Sequence, residues 1–144
     1  MLYHSPANML PPITVSETEE HLLTLLATGA ELTRRSEDVA RTLLSEMERA
    51  DVMADEAMPE NVVRMSSRVE FEIDGGKPRQ VELVFPVDAN IDEGRISVLT
   101  PIGAALIGLS SGQMMMFRGR DGRPHKLRVI SVLQPVASSA AVMV

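Results

Sequence analysis

The stretch RVEFEIDGGKPRQVELVF, residues 68–85, decides the fold class. Two runs in it alternate apolar and polar residues, and their apolar members are Val69, Phe71 and Ile73, then Val81, Leu83 and Phe85. A period of two predicts β-strands, and the DGG between the runs predicts a tight turn. We therefore expect an antiparallel hairpin at the centre of this chain.

The pattern continues towards the C-terminus. Ile96 and Val98 predict a third strand. Met114 and Met116 precede RDGR, residues 120–123, and Leu127, Val129 and a largely apolar run to Leu133 follow it, which predicts a second hairpin. The C-terminal half is therefore expected to be mainly an antiparallel sheet.

The N-terminal half has a helical period instead. Ser16 with Glu19 three residues later forms a capping-box pattern, and Gly29 marks a helix end. The apolar face predicted for this helix consists of Leu22, Leu25, Leu26 and Ala30. Ser36 is the predicted N-cap of a second helix that runs to about Asp55.

The second helix has its own apolar stripe of Val39, Leu43, Met47, Ala50 and Ala54. At about 18 residues and 1.5 Å per residue it is expected to be about 27 Å long. Two amphipathic helices joined by a short polar turn predict an antiparallel helical hairpin. The fold class is thus α+β, with a flexible arm at 1–14, a helical hairpin at 15–57, a sheet domain at 60–135 and a tail at 136–144.

A short helix is expected inside the sheet domain. Thr100 is a predicted N-cap, and Pro101 suits the first helical position, where its missing N–H costs nothing. Gly108 is a predicted C′ residue, with Leu109 as the apolar contact of a Schellman end.

Composition narrows the function classes. The 144 residues include no Cys, which excludes disulfides, a Cys-ligated zinc site and a thiol nucleophile. No apolar run reaches the roughly 18 residues of a membrane span, and the N-terminus lacks a signal-peptide pattern, so a cytoplasmic protein without membrane contact is expected. The net charge is −6.

The charge is unevenly distributed. Residues 1–60 hold 12 acidic and 4 basic residues, whereas residues 61–144 hold 8 acidic and 10 basic residues. An acidic first half disfavours direct nucleic-acid binding, which needs clustered cations. It is equally consistent with a basic partner surface and with a solvated helix pair.

The serine-hydrolase pattern G-x-S-x-G also occurs, as GLSSG at 108–112. Ser110, Asp121 and His125 follow in a triad order. A nucleophile elbow needs a strand before its serine and a helix after it, and here the order is reversed. The histidines also lack metal-ligand spacing, so neither an enzyme nor a metal or other cofactor is expected.

Charged residues cluster at two loops. Around the second hairpin lie Arg118, Arg120, Arg123, Lys126 and Arg128, a set that fits protection of an edge strand or, alternatively, contact with nucleic acid. The tip of the helical hairpin carries Glu31, Glu37 and Asp38. These carboxylates can serve the helix dipole or hold a divalent ion in a partner's site.

Two stretches carry a family resemblance: EAMPENVVRMSSRVEF at 56–71 and ISVLTPIGAALIGLSSGQ at 96–113. Over roughly residues 14–134 the chain resembles the bacterial Rnk proteins, regulators of nucleoside diphosphate kinase within the superfamily of Gre transcript-cleavage factors. The resemblance implies an N-terminal coiled coil, an FKBP-like C-terminal domain and binding to RNA polymerase, with the coiled coil in the channel that leads to its active centre.

The resemblance also implies a segment that docks on the polymerase, and the helical hairpin of this chain differs from that of Gre factors. The Gre segment that contacts the polymerase matches Thr100, Pro101, Ile102 and Gly103 here. Gre factors present an Asp and a Glu to the catalytic Mg²⁺ from a longer coiled coil, whereas this hairpin is short and its tip contains arginines. We therefore expect a regulator that competes with Gre factors without cleavage activity. A cleavage factor and, from another class, an FKBP-like isomerase or chaperone are the alternatives.

Overall fold

A computed structural model describes residues 10–135. The elements are β1 Thr14–Ser16, α1 Glu17–Leu32, α2 Glu37–Arg49, β2 Asp51–Met53, β3 Arg68–Ile73, β4 Arg79–Val84, β5 Arg95–Ser97, α3 Pro101–Leu106, β6 Met114–Arg118 and β7 Pro124–Leu133. The structure is a mixed α+β fold in which two helices pack with a five-stranded sheet. Residues 1–9 of the predicted arm and the predicted tail at 136–144 lie outside the described residues.

Helix α1 begins as the capping pattern predicts, since the backbone N–H of Glu19 donates to Ser16 Oγ at 3.1 Å. It continues past Gly29 to Leu32. Helix α2 begins after Ser36, which adopts the left-handed region (φ 49°) rather than the extended conformation of a side-chain cap. The four residues 33–36 join the two helices, which pack against each other.

The predicted end of the second helix near Asp55 is wrong. Helix α2 stops at Arg49, and Ala50 turns to an extended conformation (φ −71°, ψ 148°). The next three residues form β2, which pairs in parallel with β1 through Val15 and Val52. At 13 residues, α2 is about 20 Å long rather than about 27 Å.

The predicted apolar face of α1 is also only partly right. Its buried residues are Leu23, Ala27 and Ala30, whereas Leu22 and Leu25 are exposed. In the run HLLTLLATGA, residues 21–30, a helical apolar face can begin at either of two adjacent leucines, Leu22 or Leu23. The register that contains two alanines faces inward, because small side chains let α1 approach its neighbours closely.

Part of the predicted arm belongs to the core. Ile13 is buried, Arg49 Nη1 donates to the carbonyl of Pro11 at 2.6 Å, and Gln113 Nε2 donates to the carbonyl of Pro12 at 3.1 Å. Residues 10–13 therefore connect the sheet domain to the end of α2. The sequence did not predict this packing, because prolines are typical of loops. Their carbonyl groups nevertheless remain good hydrogen-bond acceptors.

The large sheet has the strand order β5-β4-β3-β7-β6. Both predicted hairpins are confirmed: β3 pairs antiparallel with β4, and β6 pairs antiparallel with β7. Strand β5 lies where the third strand was predicted, but it pairs in parallel with β4, so the sheet is mixed. A register shift between Glu70 and Phe71 bends β3 against β7.

One continuous hydrophobic cluster joins the helices to the sheet, with contributions from Leu23 of α1, Leu43 of α2, Leu106 of α3 and Phe71 of β3. Within residues 10–135, no helix has the length and apolar character needed to cross a bilayer.

Candidate functional site

The candidate site is a cleft of about 780 Å³ between the N-terminal half of α2, helix α3 and strand β6. We refer to three parts of it. The floor is α3 with Met115 and Phe117 of β6, the acidic wall is the start of α2, and the basic wall is the β6–β7 turn at residues 119–123. Pro101, Glu37, Asp38 and Arg120 all line this cleft.

The floor is fixed by local hydrogen bonds. Thr100 Oγ1 accepts from the backbone N–H of Gly103 at 3.0 Å and donates to the carbonyl of Ser97 at 2.7 Å. The predicted N-cap and the proline at the first helical position are thus confirmed. Pro101, Ile102 and Thr100 are partly exposed. This start of α3 is therefore accessible and rigid.

Gly103 is different from its three neighbours, because it is buried. A Cβ built on it would overlap the carbonyl oxygen of Ser97 and would lie 2.8 Å from Val98 Cα. Gly103 hence serves close backbone packing, and the accessible part of the predicted docking segment is reduced to Thr100, Pro101 and Ile102.

The end of α3 departs from the predicted Schellman pattern. Gly108 does adopt a positive φ of 83°, and Leu109 is buried. The N–H of Gly108, however, donates to the carbonyl of Val63 at 3.0 Å rather than back into the helix. The glycine thus joins α3 to the first resemblance motif.

The two carboxylates of the acidic wall and Glu31 of α1 converge on one arginine. Arg41 lies 3.4 Å from Glu31, 3.6 Å from Glu37 and 3.6 Å from Asp38, each distance joining a guanidinium nitrogen to a carboxylate oxygen. Sequence reasoning found the three acids and missed Arg41. The i,i+4 spacing from Glu37 to Arg41 is the signal that could have revealed it.

Arg41 occupies the place that a cation would take among these carboxylates. A guanidinium presents five donors, enough to engage all three acids. Among residues 10–135, no group of His, Cys, Asp or Glu side chains is arranged to hold a metal ion. Arg41 thus compensates one of the three negative charges and leaves the group acidic.

The basic wall is a compact turn that carries Arg120, with Arg118 of β6 directly before it. Arg118 Nη1 donates to the carbonyl of Gly122, which closes the turn on itself. Gly119 lies so close to His125 that a Cβ built there would be 3.0 Å from its ring. The turn is therefore shaped around that histidine.

His125 is held between two carboxylates, an arrangement that we call the His125 clamp. Nδ1 lies 2.7 Å from Asp74 Oδ2, and Nε2 lies 2.9 Å from Asp121 Oδ2. Ionised carboxylates only accept hydrogen bonds, so the clamp is complete when both ring nitrogens donate, that is, when the imidazole is protonated. The clamp ties the β3–β4 turn to the basic wall.

The pKa values of the clamp follow its geometry. Hydrogen bonds to Asp74 and Asp121 raise the pKa of His125 above 6.5. The hydrogen bond from His125 lowers the pKa of Asp74, and the backbone N–H of Arg123, followed by His125, lowers that of Asp121. The His125 side chain is still 24% exposed, so water screens these interactions.

The serine-hydrolase pattern does not assemble into a triad. His125 and Asp121 do meet, but Ser110 forms a β-bridge with Val62, and its N–H donates to Gln113 Oε1 at 2.8 Å. His125 instead uses its second nitrogen for Asp74. GLSSG is thus a turn that anchors the end of α3.

The first resemblance motif joins the helices to the sheet domain. The backbone N–H of Met65 donates to both carboxylate oxygens of Glu19 at 3.2 Å, with Arg64 at 3.8 Å. Burial raises the pKa of Glu19. Ser67 Oγ accepts from the N–H of Arg64 and donates to Gln134 Oε1 at 2.7 Å. The motif is therefore scaffold between α1 and the sheet domain.

Comparisons with known proteins agree with this architecture. The family described as "Transcription elongation factor, GreA/GreB, C-term" matches residues 58–134. The "Regulator of nucleoside diphosphate kinase" of Escherichia coli strain K12 is 35% identical over 102 residues, which cover 69% of this chain and 75% of that protein.

Two further relatives are elongation factors. A "Transcription elongation factor GreA" of Thermodesulfovibrio yellowstonii is 30% identical over 62% of this chain and 57% of its own length. The solved structure of the "Prokaryotic transcription elongation factor GreA/GreB from Nitrosomonas europaea" superposes with a TM-score of 0.66 at 28% identity, and it covers 84% of this chain and 98% of that one. The chain thus belongs to the GreA/GreB transcription elongation factor family and, within it, to the regulators of nucleoside diphosphate kinase.

Proposed function

We propose that this protein is a cytoplasmic transcription regulator that binds RNA polymerase, occupies its secondary channel and competes there with Gre-type factors without cleaving RNA itself. The observation that carries the proposal is the convergence of Glu31, Glu37 and Asp38 on Arg41. An arginine among these acids offsets part of their negative charge, so the tip attracts a partner's metal ion less strongly than three carboxylates alone would.

The short length of the two helices supports the same proposal. A helix rises 1.5 Å per residue, so α1 extends about 24 Å and α2 about 20 Å. The start of α2 also lines a cleft against the sheet domain, so the tip lies close to α3 and the basic wall. We propose that α1 and α2 are the coiled coil, and the sheet with α3 the FKBP-like domain, that the family resemblance implies.

We propose that docking uses the partly exposed start of α3. Pro101 and Ile102 offer apolar surface, and Thr100 holds them in place. The partner contact is therefore a preformed surface that loses little conformational freedom on binding, which favours affinity.

The second candidate is a transcript-cleavage factor, which the tip carboxylates favour. In that mechanism the metal ion activates water, and the protein contributes reach and charge. The candidate of another class, an isomerase or chaperone, needs an open aromatic pocket. Phe71 of β3 is instead buried in the core, with Arg79 over its ring at 5.7 Å, and Phe117 packs against His125.

Binding is tested with the full chain and purified core RNA polymerase. We expect a complex at micromolar protein concentration, weakened by Pro101→Ala while the melting temperature of the free protein changes little, because the first helical position tolerates alanine. Ile91→Ala, an exposed change in another loop, is the matched control. Failure of the wild type to bind at micromolar concentration would reject both transcription candidates.

Cleavage is tested on backtracked transcription complexes. We expect the wild type to release no 3′ RNA fragments and to inhibit cleavage by an added Gre factor in proportion to its occupancy. Replacing Glu31, Glu37 and Asp38 together by Ala should preserve that inhibition. Mg²⁺-dependent fragment release by the wild type, lost in the triple variant, would support the cleavage factor instead.

A further inference from the structure

Within residues 10–135, one edge of β6 has no strand beside it. In the order β5-β4-β3-β7-β6, this strand lies at the end of the sheet and pairs only with β7. The N–H of Val129 donates to the carbonyl of Gln113, and the N–H of Gly119 donates to that of Arg123, both at 3.0 Å. Hydrogen bonds alternate along an antiparallel pair, so the odd-numbered positions of β6 bond to β7. The even-numbered residues direct their backbone N–H and C=O groups to the free edge, and these are Met114, Met116 and Arg118.

The free edge of β6 borders the cleft, since Met116 and Arg118 both line it. In the described part of the chain, no backbone group outside the β6–β7 pair hydrogen-bonds to the backbone of these two residues. An unpaired strand edge is a template for a further strand, and natural proteins commonly cover such an edge. The cleft therefore offers a row of backbone donors and acceptors next to its apolar floor, which suits an extended segment of chain.

The chain itself enters the cleft at the end where β6 begins. The carbonyl of Pro12 accepts from the side chain of Gln113, directly before β6, and the carbonyl of Pro11 accepts from Arg49 at the end of α2. The next residue towards the N-terminus, Leu10, lines the cleft and packs against the core. From residue 12 to residue 10 the backbone thus moves from the rim of the cleft into it.

We propose that residues 1–9 continue along the cleft as an extended strand, antiparallel to β6, and hydrogen-bond to its free edge. The direction follows from the entry point, because a chain that runs from Leu10 towards residue 1 then passes along β6 from Met114 to Arg118. Nine extended residues reach about 30 Å, whereas the five residues of β6 span about 17 Å. The segment is therefore long enough to cover the whole edge, and its attachment at Leu10 gives it an effective concentration on the order of millimolar.

The composition of residues 1–9 matches the cleft. The segment MLYHSPANM contains no Asp, Glu, Lys or Arg, so neither charged wall repels it. Its apolar side chains can contact Met115 and Phe117 of the floor. Pro6 removes a single backbone donor, which an edge strand tolerates. The apolar members of the segment are Met1, Leu2, Tyr3, Ala7 and Met9.

The C-terminal segment, residues 136–144, follows the described chain at another place. The side chain of Gln134 donates to the carbonyls of Glu60 and Val62 and accepts from the hydroxyl of Ser67. None of these four residues lines the cleft. The point of entry therefore favours residues 1–9 over residues 136–144 as the occupant.

Amide hydrogen exchange of the full chain tests the pairing without any partner protein. If the segment covers the edge, the N–H of Met116 should exchange at least about tenfold more slowly than an unprotected amide. Asn8→Pro combined with Met9→Pro should abolish this protection, because one of two consecutive N–H groups faces β6 in any register and proline has none. Val142→Pro combined with Met143→Pro is the matched control and should preserve it. Unprotected exchange at Met116 in the wild type overturns the proposal, as does an equal effect of the control.

A spin label tests where the segment lies. The chain contains no Cys, so His4→Cys creates a single attachment site. A nitroxide there should broaden the amide signal of Arg120 at the far end of the cleft and leave that of Arg95, on β5 at the opposite edge of the sheet, sharp. Ser138→Cys is the matched control and should leave both signals sharp. A sharp Arg120 signal with the label at position 4 contradicts the proposal, and broadening that vanishes on dilution assigns the edge to a second copy instead.

Competition with a partner is a consequence that rests on the proposed function. Pro101 lines the same cleft, so the segment and the polymerase should compete for it. The proline pair at positions 8 and 9 should then tighten polymerase binding by the factor by which exchange at Met116 shows the edge to be closed. Lost protection with unchanged affinity would reject the competition and retain the strand pairing. Absence of polymerase binding would reject the proposed function alone, because exchange and spin labelling need no polymerase.

Discussion

The floor and the walls of the cleft are built by different forces. The floor depends on packing without free space, since Gly103 abuts the backbone of Ser97 and Leu106 is fully buried. The walls depend on charge at the surface: Arg41 gathers three carboxylates on one side, and His125 bridges two on the other. Packing is insensitive to salt and pH, whereas exposed ion pairs are screened by salt and titrate.

This difference suggests a division of labour within the cleft. The floor should present Pro101 in one geometry under all solution conditions, while the walls should change with pH and ionic strength. In free energy the walls should contribute little, because exposed ion pairs typically contribute about 0–1 kcal/mol. Substitutions in the floor should therefore change stability most.

Gly103→Ala should have the largest effect. Its Cβ would overlap a backbone carbonyl, which cannot move aside like a flexible side chain, so we expect a loss of about 3 kcal/mol in the free energy of unfolding. Gly29→Ala is the matched control. It lies within α1 beside open space and should gain about 0.5–1 kcal/mol. Urea denaturation at low protein concentration measures both, and equal effects would show that the floor is not tightly packed.

Thr100→Ala should rank second. It removes the side-chain cap of α3 and the hydrogen bond to Ser97, which should cost about 1 kcal/mol. Thr100→Ser keeps the hydroxyl and should retain most of the stability. A loss of the same size in both variants would mean that the methyl group matters and the cap does not.

The His125 clamp gives the walls a pH dependence. The pKa of His125 is raised in the folded protein, so the stabilisation is fully present below its unfolded pKa of about 6.5 and is lost as the pH rises through the folded pKa. The pKa values of Asp74 and Asp121 are lowered, so their contribution is lost only as the pH falls below about 4. The clamp should therefore be strongest between these limits.

Thermal unfolding at about pH 5.5 and about pH 8.5 measures this dependence. The wild type should lose more stability between the two pH values than His125→Gln does. His21→Gln, at an exposed position on α1, is the control and should behave like the wild type. A pKa of His125 at or below 6.5 by NMR titration would contradict the clamp.

The elements predicted from sequence differ from those missed in the range of their interactions. Both hairpins and the start of α3 follow from local signals, such as alternation, DGG and Thr-Pro. The end of α2 was missed because three-residue strands β1 and β2 pair across 37 residues, which no local pattern reports. The inner face of α1 was missed because adjacent leucine registers are equally apolar, and the choice depends on packing against α2.

The same limit applies to the candidate site. Sequence identified Pro101 and the tip acids as separate features, and the tertiary fold brings Pro101 and two of those acids, Glu37 and Asp38, to one cleft. Asp74 reaches His125 from a turn 51 residues away, so the clamp had no signature in the chain. The sequence therefore predicted which charged residues and helix caps the site contains. It did not predict which residues each charged side chain contacts.

Arg41→Gln should have the smallest effect on stability and gives the sharpest contrast with the floor. Its three contacts are 3.4–3.6 Å long and its side chain is 58% exposed, so their loss should cost less than about 1 kcal/mol. That difference should shrink further in high salt, because exposed charges are screened within about 10 Å at 0.1 M ionic strength. Gly103→Ala should instead lose the same free energy of unfolding at low and high salt.

Arg41→Lys is the matched control for charge. An ammonium group has no planar fork to engage three carboxylates, so the stability of this variant should lie between those of the wild type and Arg41→Gln. Urea denaturation at two salt concentrations measures the free energy of unfolding of each variant and its dependence on salt. A salt-independent loss of several kcal/mol for Arg41→Gln would mean that the acidic wall, like the floor, is held by packing.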